Sequence, residues 1–171
     1  MNDDSLIPGS VDPALFRQVT GRFATGVAVV TTVVDGVDHA MTVNAFTSVS
    51  LEPLLVMICV EKIARFHDMV LRSGFWGVSV LGEGMREESQ WFATRGRPLE
   101  GQLDGWSYHR GPATGTAVFT RAVAALECRT HAVHAAGDHS IVVGEVLSLD
   151  LPDPGGKPLI FYTGGYRALG G

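Results

Sequence analysis

The chain has 171 residues, enough for one domain that buries about 70% of its unfolded surface. With 46% hydrophobic and 18% charged residues, disorder over most of its length is excluded, and part of the surface is expected to be covered by a second subunit. The net charge of -5 leaves no basic excess to neutralise phosphate backbones, which excludes nucleic acid as the main partner.

No apolar run approaches the roughly 18 residues of a membrane span, and the polar N-terminus has no signal-peptide pattern. Residues 1–11 read as a flexible leader and 12–171 as a single domain. Asp12-Pro13 is a helix start, with Asp as N-cap and Pro in the first turn. Leu15, Phe16, Val19 and Phe23 follow at helical spacing, so a helix is predicted to run to about Gly26. VAVVTTVV (27–34) is β-branched almost throughout, and Asp35-Gly36 behind it signals a hairpin. The partner strand is predicted from Val37 onward into HAMTVNAFTSVSLEPLL (39–55).

That segment is unusual. Between Met41 and Leu51 it has no charge, and small hydroxyl and amide side chains (Thr42, Asn44, Thr47, Ser48, Ser50) alternate with apolar ones. A surface loop would carry Lys or Glu, and a core strand fewer hydroxyls, so the pattern points to a ligand groove.

LLVMICV (54–60) predicts a buried strand, residues 63–72 a helix with Ile63, Phe66, Met69 and Val70 on one face, and FWGVSVL (75–81) another strand. Met85 to Ala93 reads as a short helix. Residues 94–116, rich in Gly and Pro, read as a long connection with a strand near Trp106 to His109. Ala122–Val133 and His139–Leu151 are two long strands joined by AAGD, and Pro158–Tyr162 is a last strand before a glycine-rich tail. Seven or so strands, three short helices and no βαβ alternation predict a mainly β, antiparallel barrel. Cys59 and Cys128 lie in apolar strand-like runs without CxxC spacing, as buried reduced thiols of a cytoplasmic protein would.

Several motifs fail on inspection. Gly21 and Gly26 have P-loop spacing, but Val27 and Ala28 stand where Lys and Ser or Thr are required. There is no GxGxxG and no GxSxG. His131 and His134 are an odd number apart along a strand and face opposite ways, so no metal is expected with Cys128 and His139. In EKIARF (61–66), Lys62 and Arg65 fall near the first turn of a predicted helix, where cations oppose the dipole. An anion docked there reverses that sign. His139 opens a strand directly after a turn, and Tyr166-Arg167 lie between glycines near the C-terminus.

The segments FRQVTGRFATGVAVVTT, MTVNAFTSVSLEPLLVMICV, AAGDHSIVVGEV and PLIFYTGGYRAL, in this order, resemble the short-chain flavin reductases. These are the reductase components of two-component flavin-dependent monooxygenases. The resemblance covers the chain from about Leu15 to Leu169, and it implies an FMN-binding split barrel, a homodimer, and flavin near the subunit interface. It also implies hydride transfer from NADH or NADPH to FMN or FAD, with reduced flavin released to a partner oxygenase.

Carried onto this chain, the resemblance puts Thr42, Val43, Asn44, Ala45 and Phe46 along the isoalloxazine ring. Ser48, Val49 and Ser50 meet the ribityl and phosphate region, with Cys59 and Val60 beside them, and Lys62, Ala64 and Arg65 complete the phosphate site. The family often has Ser-Thr where this chain has Arg65-Phe66. Phe92, in Gln90–Ala93, matches a flavin-edge element, and His139 and Tyr166 match the nicotinamide region. Direct hydride transfer needs no catalytic acid or nucleophile, so none is assigned. The rival class is a non-catalytic flavin carrier on the same barrel, lacking the nicotinamide site of His139 and Tyr166. A pyridoxamine-phosphate oxidase relative ranks behind it, since no basic residues for a second phosphate are evident.

Overall fold

The computed structural model describes residues 11–170, so all of the expected leader but Val11 lies outside the described residues. In chain order the elements are α1 (Pro13–Thr20), β1 (Thr25–Gly26), β2 (Ala28–Val34), β3 (Val37–Val43), β4 (Phe46–Leu51) and β5 (Leu54–Glu61). There follow α2 (Arg65–Ser73), β6 (Phe75–Val80), α3 (Arg86–Ala93), β7 (Tyr108–Arg110) and β8 (Ala117–Phe119). The chain ends with β9 (Ala124–Ala136), β10 (His139–Asp150), β11 (Ile160–Tyr162) and β12 (Gly165–Arg167).

One seven-stranded antiparallel sheet, ordered β3-β2-β6-β9-β10-β5-β4, dominates. Its two edge strands are neighbours in sequence, joined only by Asn44 and Ala45. Laid flat, seven strands would hold these edges about 29 Å apart, whereas two linking residues span at most roughly 10 Å. The sheet must therefore curl until its edges meet. No ladder joins β3 to β4, so the expected antiparallel barrel is split along that seam.

Alternation sorts the side chains. Val30, Val43, Val56, Ile58, Val60, Val78 and Val142 point into the curl around Trp76 and Cys128, and α2 adds Phe66 and Val70. A second core, with Val29, Ala40, Leu81, Met85, Phe92 and Phe119, fills the other side of β2. Burial on both faces explains why β2 is apolar almost without interruption. β5 differs from the expectation of a fully buried strand: Val56, Ile58 and Val60 are buried, while Leu55, Met57 and Cys59 are half-exposed on the outer face.

Local signals hold where side chains close their own hydrogen bonds. Asp12 caps α1 by accepting from the Ala14 N–H at 2.9 Å. Asp35 and Gly36 have φ of 52° and 78°, as a two-residue hairpin turn of this hand requires. The prediction that α1 runs to Gly26 is corrected. The helix stops at Thr20, the Gly21 N–H returns to the Arg17 carbonyl at 2.9 Å, and Thr25-Gly26 pair with β11 instead. No residue of α1 is buried, and Leu15, Phe16 and Val19 are more than half exposed. Ile63, expected on the buried face of a helix, precedes α2 and is 74% exposed. The long connection is pinned by buried Glu127, whose carboxylate accepts from the N–H groups of Ala113 and Thr114 and from the Thr114 hydroxyl.

Candidate functional site

A cleft of 560 Å³ opens between β3, the end of β5, the start of α2 and the C-terminal end of α3. His39, Ala40, Met41 and Thr42 form one wall, and Ala64, Arg65 and Phe66 the opposite one. Phe92 and the segment Ala93–Arg97 close the end. The cleft thus overlaps the uncharged segment only at its start, Met41 and Thr42, and runs along β3 away from it.

Thr42 is fixed by donating its hydroxyl to the Ser89 carbonyl at 2.7 Å. The Ser89 hydroxyl in turn shares a 2.8 Å bond with the Tyr166 hydroxyl. Tyr166 does not line the cleft; its ring packs edge-on against Phe161, with the Arg86 guanidinium 5.3 Å above it. Ser89, fully buried on α3, thereby ties the C-terminal hairpin to the wall of the cleft.

The start of α2 is open to an anion. Its N-cap position is Ala64, which has no side-chain acceptor for the first N–H groups. Arg65 reaches across and donates to the Arg97 carbonyl at 2.6 Å. No carboxylate pairs with Arg65 among the described residues, whereas Arg95 is held by Glu61 at 2.7 Å. Burial, and after it the Arg65 charge, push the His39 imidazole below its ordinary value of 6.5, so the ring is neutral near pH 7.

The other predicted residues stand around the cleft rather than in it. Val43 and Val60 send their side chains into the barrel core, leaving only backbone groups for any ligand. Asn44 and Ala45 are exposed in the seam, with the Ala45 carbonyl accepting from the Cys59 N–H at 3.1 Å. Phe46 packs against the core. Ser48, Val49 and Ser50 lie on the edge strand β4, where a register shift between Ser48 and Ser50 leaves Val49 unpaired. An edge strand keeps a row of free N–H and C=O groups, which a polyhydroxyl chain can use.

Lys62 is exposed and outside the cleft. Its ammonium donates to the Gly137 carbonyl at 2.6 Å, and its own N–H to the Asp138 carbonyl at 2.9 Å. It clamps the β9–β10 turn, from which His139 emerges directly opposite Glu61 at the cleft mouth. His139 Nδ1 lies 2.8 Å from the Asp138 carboxylate, and this hydrogen bond holds the Asp138 carboxyl below its usual range. One residue on, Ser140 bonds His67 of α2 at 3.0 Å. Thr42, Ala64, Arg65 and Phe92 are therefore brought together in the cleft, and His139 sits at its rim. Ser89, Arg95, Arg97 and His39 were missed; the only signal for the arginines was the pair in FATRGR, in a chain poor in charge.

A family model described as a flavin reductase like domain matches residues 20–170. The reductase subunit HsaB of a flavin-dependent monooxygenase from Mycobacterium tuberculosis is 35% identical over 160 residues, covering 93% of this chain and 83% of that protein. The reductase component of 4-hydroxyphenylacetate 3-monooxygenase from Thermus thermophilus is 39% identical over 154 residues, covering 90% of this chain and 95% of that one. The solved structure of the NADH:FAD oxidoreductase SgcE6 from Streptomyces globisporus C-1027 matches with a TM-score of 0.88 at 36% identity, over 96% of this chain and 99% of that one.

Proposed function

The chain belongs to the flavin reductase family, and from that premise we propose that it is an NAD(P)H-dependent flavin reductase supplying reduced flavin to a partner monooxygenase. The observation that carries this reading is the run of uncharged groups from Thr42 into β4, which leads directly into a cleft bearing the carboxylate-free Arg65. Such a groove fits a large, mostly uncharged ring and polyol that end in a phosphate. The relatives' names favour reductase over carrier, and those that name a nicotinamide reductant name NADH.

Bound flavin supplies a ring position that takes hydride directly from the nicotinamide. The residues of the chain do the holding. Thr42 to Phe46 present backbone and small polar groups to the ring, with Phe92 at its edge. Ser48, Val49 and Ser50, with the backbone beside Cys59 and Val60, take the polyol. Ala64 and Arg65 take the phosphate, while Lys62 fixes the turn that presents His139. His139 and Tyr166 serve the nicotinamide, His139 from the rim and Tyr166 through Ser89.

Residues 12–171 act as one domain, and two copies pair. The support for pairing is the apolar surface left open at α1 and at the β4–β5 hairpin, where Leu51 is 87% exposed. Use of NAD(P)H is consistent with a cytoplasmic site, and no helix among the described residues is long and apolar enough to cross a membrane.

The deciding test is anaerobic NADH oxidation with FMN or FAD, following the loss of flavin absorbance. Oxidation matched one-to-one by flavin reduction is expected. Tight flavin binding with no NADH consumption would return the chain to the carrier class.

A further inference from the structure

Arg97 was not among the residues read from the sequence, yet its position is the most constrained in the cleft. Its Nη1 donates to the carbonyls of Trp91, Phe92 and Thr94 at the end of α3, and Nη2 donates to the Ala40 carbonyl on β3 at 2.7 Å. The guanidinium lies 5.6 Å over the Phe92 ring. Its Nε is buried and has no hydrogen-bond partner.

Two facts make this arrangement costly as it stands. A fixed, half-buried cation usually has a carboxylate nearby, and no acidic group pairs with Arg97 among the described residues. The Arg65 guanidinium donates to the Arg97 main-chain carbonyl, so its charge lies close enough to act on that of Arg97, on adjoining sides of the cleft. Burial, followed by the Arg65 charge, pushes the Arg97 guanidinium below its ordinary range. Glu61, the one carboxylate lining the cleft among the described residues, is already taken by Arg95. His39, the remaining basic group of the lining, is kept neutral by burial and by the Arg65 charge. Two positive charges therefore line the cleft, held by main-chain carbonyls and paired with no carboxylate among the described residues.

We propose that Arg97 completes the phosphate subsite with Arg65, the two guanidinium groups together neutralising the 5′-phosphate of a flavin nucleotide. This rests on the flavin reductase reading and deepens it. Arg65 extends from α2, exposed and held by a single carbonyl, while Arg97 is locked by four and supplies a guanidinium already in place. A pre-fixed donor loses little entropy on binding. The pair makes the phosphate the main handle, so the site selects phosphorylated flavins over riboflavin. FMN and FAD share that phosphate chemistry.

The test is a fluorescence titration of the full chain with riboflavin, FMN and FAD, on the wild type, Arg65→Ala, Arg97→Lys and Arg97→Gln. Because Arg97 also caps α3, each variant's melting temperature is measured, and the lysine variant keeps a donor for those carbonyls. For Arg97→Lys a rise in Kd of roughly tenfold is expected for the nucleotides, as for loss of a charged hydrogen bond, with riboflavin within about twofold. Parallel loss for all three flavins would make Arg97 purely structural and overturn the proposal. A loss confined to FAD would move Arg97 to the second phosphate of a dinucleotide, which also overturns it. If Arg97→Gln fails to fold, inorganic phosphate added to wild type and Arg97→Lys decides: it should compete with FMN, and less well in the variant. If the wild type binds none of the three flavins, the reductase reading falls with it. If it binds all three and only the variant pattern fails, that reading stands.

Discussion

The Lys62 ammonium donates to the main-chain oxygen of Gly137 at 2.6 Å, so the residue following β5 holds the turn that presents His139. Lys62→Met should loosen that turn and raise the KM for NADH, while flavin affinity changes little. A single hydrogen bond of this kind contributes about 0.5–1.5 kcal/mol, which sets an effect of roughly twofold to tenfold. His139→Ala should move the same parameter, and the double variant should be little worse than His139→Ala alone. Steady-state kinetics at saturating flavin checks this. Fully additive effects would mean that Lys62 and His139 act separately.

Arg65→Ala should weaken FMN binding by about 1.5–3 kcal/mol, the range for a hydrogen bond to a charged group. Riboflavin, which has no phosphate, should lose much less. Equal losses for the two ligands in a fluorescence titration would remove Arg65 from the phosphate site.

His39 gives a pH dependence with a definite sign. Its folded-state pKa is depressed below 6.5, first by burial and then by Arg65. Its contribution to stability is complete above pH 6.5. It is lost as the pH falls through the folded value, because the unfolded chain takes up the proton first. Urea midpoints should therefore drop more steeply below pH 6.5 in the wild type than in His39→Gln. Arg65→Ala should raise the imidazole pKa in an NMR titration, and no movement would mean that the two groups are not coupled.

The two thiols should separate cleanly. Burial, and then the Glu127 charge, push the Cys128 thiol up to about 12, whereas Cys59 is half-exposed on the outer face of β5. At pH 8 a maleimide should label one thiol in the folded chain and two after denaturation. If Cys59 borders the flavin, adding FMN should slow the first reaction. Labelling of both thiols at one rate in the folded state would contradict the barrel interior described for Cys128.

Much of this was legible because the deciding forces are local. The Asp12 cap, the Asp35-Gly36 turn and the β-branched run of β2 each declare themselves within a few residues. The uncharged segment from Met41 to Leu51 pointed to a ligand groove, and Thr42 at its start lines the cleft. What could not be read depends on distant partners. The apolar spacing of Leu15, Phe16 and Val19 marks a helix but not what covers it. β1 and β12 exist only through their ladders to β11, and two or three residues carry no periodicity. Lys62 and Arg97 differ in role because of which carbonyls the fold brings to them, 75 and 57 residues away in sequence. A lysine and an arginine in sequence show only their charge.

The sheet also implies an order of assembly. Three of its ladders, β2–β3, β4–β5 and β9–β10, are hairpins whose partners meet across short turns. β5 to β10 is another matter: pairing Val60 with Ser140 closes a loop of roughly eighty residues, at an entropic cost of about 3 kcal/mol relative to a short hairpin turn. His139 comes to the cleft mouth only when that ladder forms, since its place opposite Glu61 is part of it. The side of the site proposed for the nicotinamide should thus be among the last parts to assemble. In native-state hydrogen exchange, the amides joining β5 to β10 should open more readily than those within the β2–β3 hairpin. If His139 receives the nicotinamide as proposed, a reductase built this way becomes competent for its electron donor only once the rest of its sheet is in place.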